Sequence, residues 1–200
     1  MKLLQVALAT VLSLAFTPMA AQEKATGGGE VVLLELLATE RMSLGKLDSC
    51  ELTYYLAYED YIYRNGAITV LRGSMNFAGF TDAPDKGPAY LFKVTAFDLT
   101  GEALDLAPLK YAYLSSRGVS YAGKEFVVGA AEDGGLLVGY DALANFALSF
   151  TDPISLNITR VGGRSDVAVP VDFMMHNPTI SKQHAECSLK LLDVLSEKFK

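Results

Sequence analysis

The residues with the most obvious chemical potential lie near the C-terminus: Asp172, His176, His184, Glu186 and Cys187. His184 and Cys187 are three positions apart, which on a helix puts them on one face and within reach of each other. A thiol beside an imidazole is how a cysteine nucleophile meets its base. Asp172, His176 and His184, with Glu186, would instead offer oxygen and nitrogen ligands to a metal ion. Either set would make the chain a hydrolase or a metal-dependent enzyme. The chain holds 2 histidines and 2 cysteines, and no His-x-x-x-His or Cys-x-x-Cys spacing joins them. The plainer reading makes His184 a core-facing helix residue and His176 a loop residue just before that helix. On that reading there is no metal and no cofactor.

Other chemistries find less support. Nucleophilic hydrolysis by serine lacks its Gly-x-Ser-x-Gly elbow. Gly134-Gly135-Leu136-Leu137-Val138-Gly139 runs into Tyr140-Asp141 but lacks the Lys-Ser/Thr of a phosphate loop, so it reads as a turn with a helix start. Asn157-Ile158-Thr159 is a glycosylation sequon inside an expected strand. Glu59-Asp60 and Glu132-Asp133 are paired carboxylates of the kind glycosidases use, yet both fall in expected turns, where solvated acids are ordinary. The tyrosines carry the clearest signal for binding. Tyr54, Tyr55, Tyr58, Tyr61 and Tyr63 cluster in one run, and Tyr111, Tyr113 and Tyr121 follow. Tyrosine gives flat, amphipathic contact area and is enriched at binding surfaces, although antiparallel strands use it routinely too.

The elements that must position these residues are mostly strands. Glu30 to Glu40 is short and apolar on both faces, which suits a buried strand. From Cys50 to Tyr58, Leu52, Tyr54, Leu56 and Tyr58 alternate with Thr53, Tyr55 and Ala57, the period of a strand. Arg64-Asn65-Gly66 is a turn, and Ala67–Leu71 and Ser74–Phe80 resume the pattern. Thr81 to Pro88 is an exposed loop. Strands are expected at Ala89–Leu99, Leu109–Ser115 and Lys124–Ala130, with a turn at Thr100-Gly101. Asp141 to Ser149 reads as a short helix ended by Asp152-Pro153. Ile154–Val161 and Val167–Phe173 form a hairpin across Gly162–Asp166. Asn177 caps a last helix with Pro178 at its first position, and Ile180, His184, Cys187, Leu191, Val194 and Leu195 form its inward stripe. The expected fold is α+β: an antiparallel sheet or sandwich followed by a helix–strand–strand–helix C-terminal third.

Compartment and partners follow from the ends and the charge. Lys2, the apolar run Leu3–Phe16 and the small residues to Ala21 have the form of a secretory signal peptide over residues 1–21. Residues 22–30, with Gly27-Gly28-Gly29, read as a flexible leader. Residues 31–200 then form a single domain, and no membrane anchor is expected after signal removal. The formal charge of −6 becomes −7 without Lys2, since the signal holds no acid. An acidic chain without a Lys/Arg cluster suits neither nucleic acid nor an anionic membrane surface. Two cysteines in an exported chain favour one disulfide, Cys50–Cys187. The last third, with a cysteine in the final helix, resembles small exported proteins of Gram-negative bacteria, a resemblance that implies the periplasm and brings no motif, site or activity with it. The expectation is therefore a secreted or periplasmic, non-catalytic binding module acting on an envelope protein or a small ligand, with the enzyme using Asp172, His176 and His184 as the alternative.

Overall fold

A computed structural model describes residues 28–79, 88–98, 107–116, 119–131, 134–141 and 153–198. The expected signal peptide, most of the leader, the 81–87 loop, the turn at 100–101, the Glu132-Asp133 pair and the helix after Asp141 lie outside the described residues. Ten strands are described: β1 (Gly28–Ser43), β2 (Lys46–Asp60), β3 (Ala67–Ala78), β4 (Ala89–Phe97), β5 (Leu109–Ser116), β6 (Val119–Ser120), β7 (Glu125–Ala130), β8 (Leu136–Asp141), β9 (Ile154–Arg160) and β10 (Val167–Val171). Two helices follow, α1 (Phe173–His176) and α2 (Pro178–Lys198). The chain is thus mostly antiparallel β-sheet with helix at its C-terminus.

The strands form a six-stranded sheet in the order β1-β2-β3-β4-β8-β7 and a four-stranded sheet in the order β10-β9-β5-β6. The two enclose one core, approaching each other where β1 lies near β10 and β5 near β8. Alternation decides what each strand sends inward. Leu52, Tyr54, Leu56 and Tyr58 of β2 are buried, as are Tyr90, Phe92 and Val94 of β4 and Leu136, Val138 and Tyr140 of β8. Ala112 and Leu114, Ile154, Leu156 and Ile158, and Val167, Val169 and Val171 answer them from the second sheet. Polar bonds also cross the seam. The Leu114 N–H donates to the Tyr140 hydroxyl at 3.1 Å, giving a β5 amide a partner in the other sheet. Burial pushes the Tyr140 pKa upward, so the hydroxyl stays neutral.

Several expectations change. Gly28–Glu30 are not leader but the start of β1, where the Glu59 carboxylate lies over Gly29. Ala67 to Ala78 is one unbroken strand. Leu136–Asp141 is not a turn leading to a helix but β8, paired with both β4 and β7. Phe173 opens α1 instead of ending β10. Asp60 is no solvated turn acid: it is 0% exposed and accepts the N–H groups of Ile62 at 3.1 Å and Tyr63 at 2.8 Å. It therefore builds the β2–β3 turn, which closes through Asn65 and Gly66 at positive φ. The cap of α2 is as expected, with Asn177 accepting the Ile180 N–H at 3.2 Å. The inward stripe is also as expected: His184, Cys187, Leu191 and Leu195 are buried.

Candidate binding face

The C-terminal residues serve the fold. Cys50 and Cys187 form a disulfide, with Cα atoms 5.8 Å apart, that ties α2 to β2. Cys187 is thereby removed as a nucleophile. His184 is 2% exposed, and its Nε2 lies 3.3 Å from the Cys50 carbonyl oxygen. A carbonyl only accepts, so Nε2 carries the proton. Burial pulls the imidazole down to about 4, opposed in part by that same hydrogen bond. Asp172 caps α1 by accepting the Met175 N–H at 2.8 Å. His176 is exposed at the end of α1, and Glu186 is exposed, 3.8 Å from Lys182. Among the described residues no group of three or more His, Cys, Asp or Glu could hold a metal ion. A cleft of about 290 Å³ does open between β1 and α2, lined in part by Thr39, Glu40, Gln183, His184 and Lys190. Lys190 reaches across it to Glu40 at 3.8 Å. The cleft lies beside the disulfide.

The first tyrosine run is divided between core and surface. Tyr54 and Tyr58 are 0% and 1% exposed, so neither can meet a partner. Tyr54 donates to the Lys93 carbonyl at 3.1 Å and packs on Phe173 with ring centroids 5.7 Å apart. Tyr58 donates to Asp60 at 3.3 Å. Tyr55 faces the other side of the sheet, half-buried, with the Arg72 guanidinium 5.4 Å from its ring. Tyr61 is 57% exposed and donates to Glu59 at 3.0 Å. Tyr63 is half-buried, donates to the Ser165 carbonyl at 2.6 Å and lies 5.6 Å from the Arg160 guanidinium. Period-two alternation sends Tyr54 and Tyr58 one way and Tyr55 the other.

The second tyrosine group makes a built face. Tyr111 and Tyr113 are two apart on β5 and point away from Ala112 and Leu114, which are in the core. Their rings lie 5.6 Å apart, tilted by 34°. The Tyr111 hydroxyl donates to Glu125 on β7 and accepts the Gly123 N–H at 3.0 Å. The Tyr113 hydroxyl donates to Asp166 at 2.8 Å, and the Thr159 hydroxyl donates to the other Asp166 oxygen. Partial burial, then the carboxylate each one meets, raises both phenols, Tyr113 to about 12. Both stay neutral donors at physiological pH. Beneath them Asn157 is buried, its amide donating to the Tyr113 carbonyl, the Ser115 hydroxyl and the Ser155 carbonyl at 3.3, 3.0 and 3.1 Å. That arrangement leaves its nitrogen no room for a glycan. Sequence reading sees the tyrosines but not Asp166, which stands in a turn 53 positions from Tyr113. Set against protein-family models, curated proteins and solved structures, the chain matches none.

Proposed function

We propose that this is an exported, non-catalytic binding module whose contact face is centred on Tyr111, Tyr113 and Asp166. The observation that carries the reading is the outward pair of adjacent rings with each hydroxyl fixed by its own carboxylate, Glu125 or Asp166. Half-buried tyrosines held this way offer a partner flat, amphipathic ring surface, and little side-chain entropy remains to be lost on binding. Export rests on the form of residues 1–21, and the Cys50–Cys187 disulfide is compatible with an oxidising compartment. The partner is an envelope protein or a small ligand, and neither nucleic acid nor a cofactor is part of the reading.

Site-specific photo-crosslinking tests it. A benzoyl-phenylalanine placed at position 111 or 113 of the exported protein, in intact cells, is expected to give a discrete adduct. The same probe at position 61, exposed but outside the face, should not give that adduct. Absence of any adduct from 111 and 113, with the thermal unfolding of the probe-bearing protein unchanged, would remove the face as a contact surface.

A further inference from the structure

We infer that the Tyr111–Tyr113 face receives a cationic side chain, the lysine or arginine of a basic segment on a partner protein; this rests on the binding reading above. The first ground is what surrounds the rings. The side chains that accept their hydroxyl protons are Glu125 and Asp166, both acids, and among the described residues no lysine or arginine is stacked on either ring. Elsewhere on the molecule the partly buried tyrosines have cations of their own. Arg72 lies 5.4 Å from the Tyr55 ring, Arg160 lies 5.6 Å from Tyr63 and Lys124 lies 4.8 Å from Tyr121. A cation within about 6 Å of a tyrosine face is attracted by the ring quadrupole. Among the described residues the Tyr111–Tyr113 pair has no such cation.

The second ground is the state of Asp166. It is exposed, and each carboxylate oxygen already accepts one hydrogen bond, from Tyr113 and from Thr159. An ionised carboxylate can accept about four. Asp166 is therefore held in one orientation with acceptor capacity still open to an incoming N–H. A guanidinium or ammonium over the rings would meet that carboxylate at once. An anionic ligand would be repelled by both acids. The chain's charge of −6 favours approach of a basic partner over long range, while the fixed pair of rings and carboxylate supplies the local selectivity.

The test is aromatic NMR of the oxidised, exported protein titrated with acetylated tetralysine amide and tetra-arginine amide, with tetraglutamate and maltotetraose in parallel. Saturable shifts of the Tyr111 and Tyr113 rings with the cationic peptides are expected, weakening as salt rises. Asp166→Asn should weaken binding by about tenfold, the scale of one charge-assisted hydrogen bond. Glu40→Gln, on β1, should leave it unchanged. Tyr111→Leu and Tyr113→Leu provide a second pair of variants that does not depend on Asp166. Shifts spread over the whole acidic surface and indifferent to Asp166→Asn would overturn the cationic occupant. So would saturable binding of maltotetraose at these rings, or no peptide binding in a protein that still gives the crosslink from position 111 or 113. In these cases the binding reading stands without this one. Loss of the crosslink itself would remove both.

Discussion

Tyr54 occupies the space a side chain at Gly73 would need: a Cβ added to Gly73 would stand 2.4 Å from the Tyr54 hydroxyl oxygen and 2.1 Å from the Lys93 carbonyl oxygen. The residues face each other across the β2–β3 ladder. Glycine is therefore required here by close approach, since its backbone is ordinary strand. Gly73→Ala should lower stability by about 1–3 kcal/mol, the usual scale of overpacking. A falling urea midpoint would register it. Tyr54→Phe in the same chain should not restore stability, because the Lys93 carbonyl remains in the way. Full recovery would show that the Tyr54 hydroxyl alone set the constraint.

The disulfide closes a span of 137 residues between β2 and α2. In the chain-entropy model a loop of that size contributes about 5 kcal/mol, an upper figure where native strain or residual unfolded-state structure subtracts. Cys50→Ala with Cys187→Ala is expected to lower the unfolding free energy by several kcal/mol without abolishing the fold. Leu191 and Leu195 stay buried against the sheet, within 3.1 and 3.2 Å of where a Gly79 Cβ would stand. Hydrogen exchange should locate the loss, with α2 amides losing protection ahead of those in β2 and β3. Equal loss everywhere would mean that the helix is not the element the bond secures.

Much of this architecture is legible residue by residue, and the exceptions have physical causes. Leu52, Tyr54, Leu56 and Tyr58 show a strand by their period, and the stripe through His184, Cys187 and Leu191 shows which side of α2 is inward. β8 is hidden because Gly134 and Gly135, which do turn the chain between β7 and β8, are followed so closely by Gly139, which lies inside the strand. Gly135 also makes room for the Thr95 hydroxyl, which would lie 2.2 Å from a Cβ there. Gly73 hides the continuity of β3 for the same reason. Local pattern cannot tell a glycine that bends the chain from one that admits a neighbour's side chain. The face around Tyr113 is legible only in its tyrosines, because Asp166 and Thr159 reach it through the β9–β10 hairpin. Likewise nothing in Glu59-Asp60 marks the second acid as fully buried, since its partners are turn amides that exist only once the turn forms.

His184 gives the fold a pH dependence whose sign can be stated. Its ordinary pKa is 6.5, and in the folded protein burial holds it to about 4. Between those values the unfolded chain binds a proton that the folded chain does not, so stability falls as pH drops. The contribution is fully present above pH 6.5 and is lost progressively toward pH 4, on the order of 3 kcal/mol in all. His184→Gln should flatten the fall in stability between pH 7 and pH 4 relative to the parent chain, measured by urea unfolding at each pH. Parallel curves for the two proteins would show that the imidazole does not titrate differently on folding.

Asp60 and Arg160 hold together the end of the molecule where β2 and β9 finish, and they should do so non-additively. They are 0% and 3% exposed. Arg160 donates through Nη1 to the Ala107 carbonyl at 3.0 Å, while its Nε and Nη2 have no hydrogen-bond partner among the described residues. Burial lowers the guanidinium pKa, and the nearby Tyr58 and Asp60 raise it back. Tyr58 and Asp60 thus offset part of the cost of burying the Arg160 guanidinium, and removing Asp60 leaves that charge less compensated, which is the costly case for buried ions. Asp60→Asn and Arg160→Met are each expected to destabilise the chain, Asp60→Asn also weakening the turn amides it holds. The double variant should lose less than the two singles together, by about 0.5–3 kcal/mol. A double-mutant cycle by urea unfolding measures that difference. Additivity within about 0.5 kcal/mol would mean that the two charges are buried independently, each stabilised by its own hydrogen bonds and not by the other.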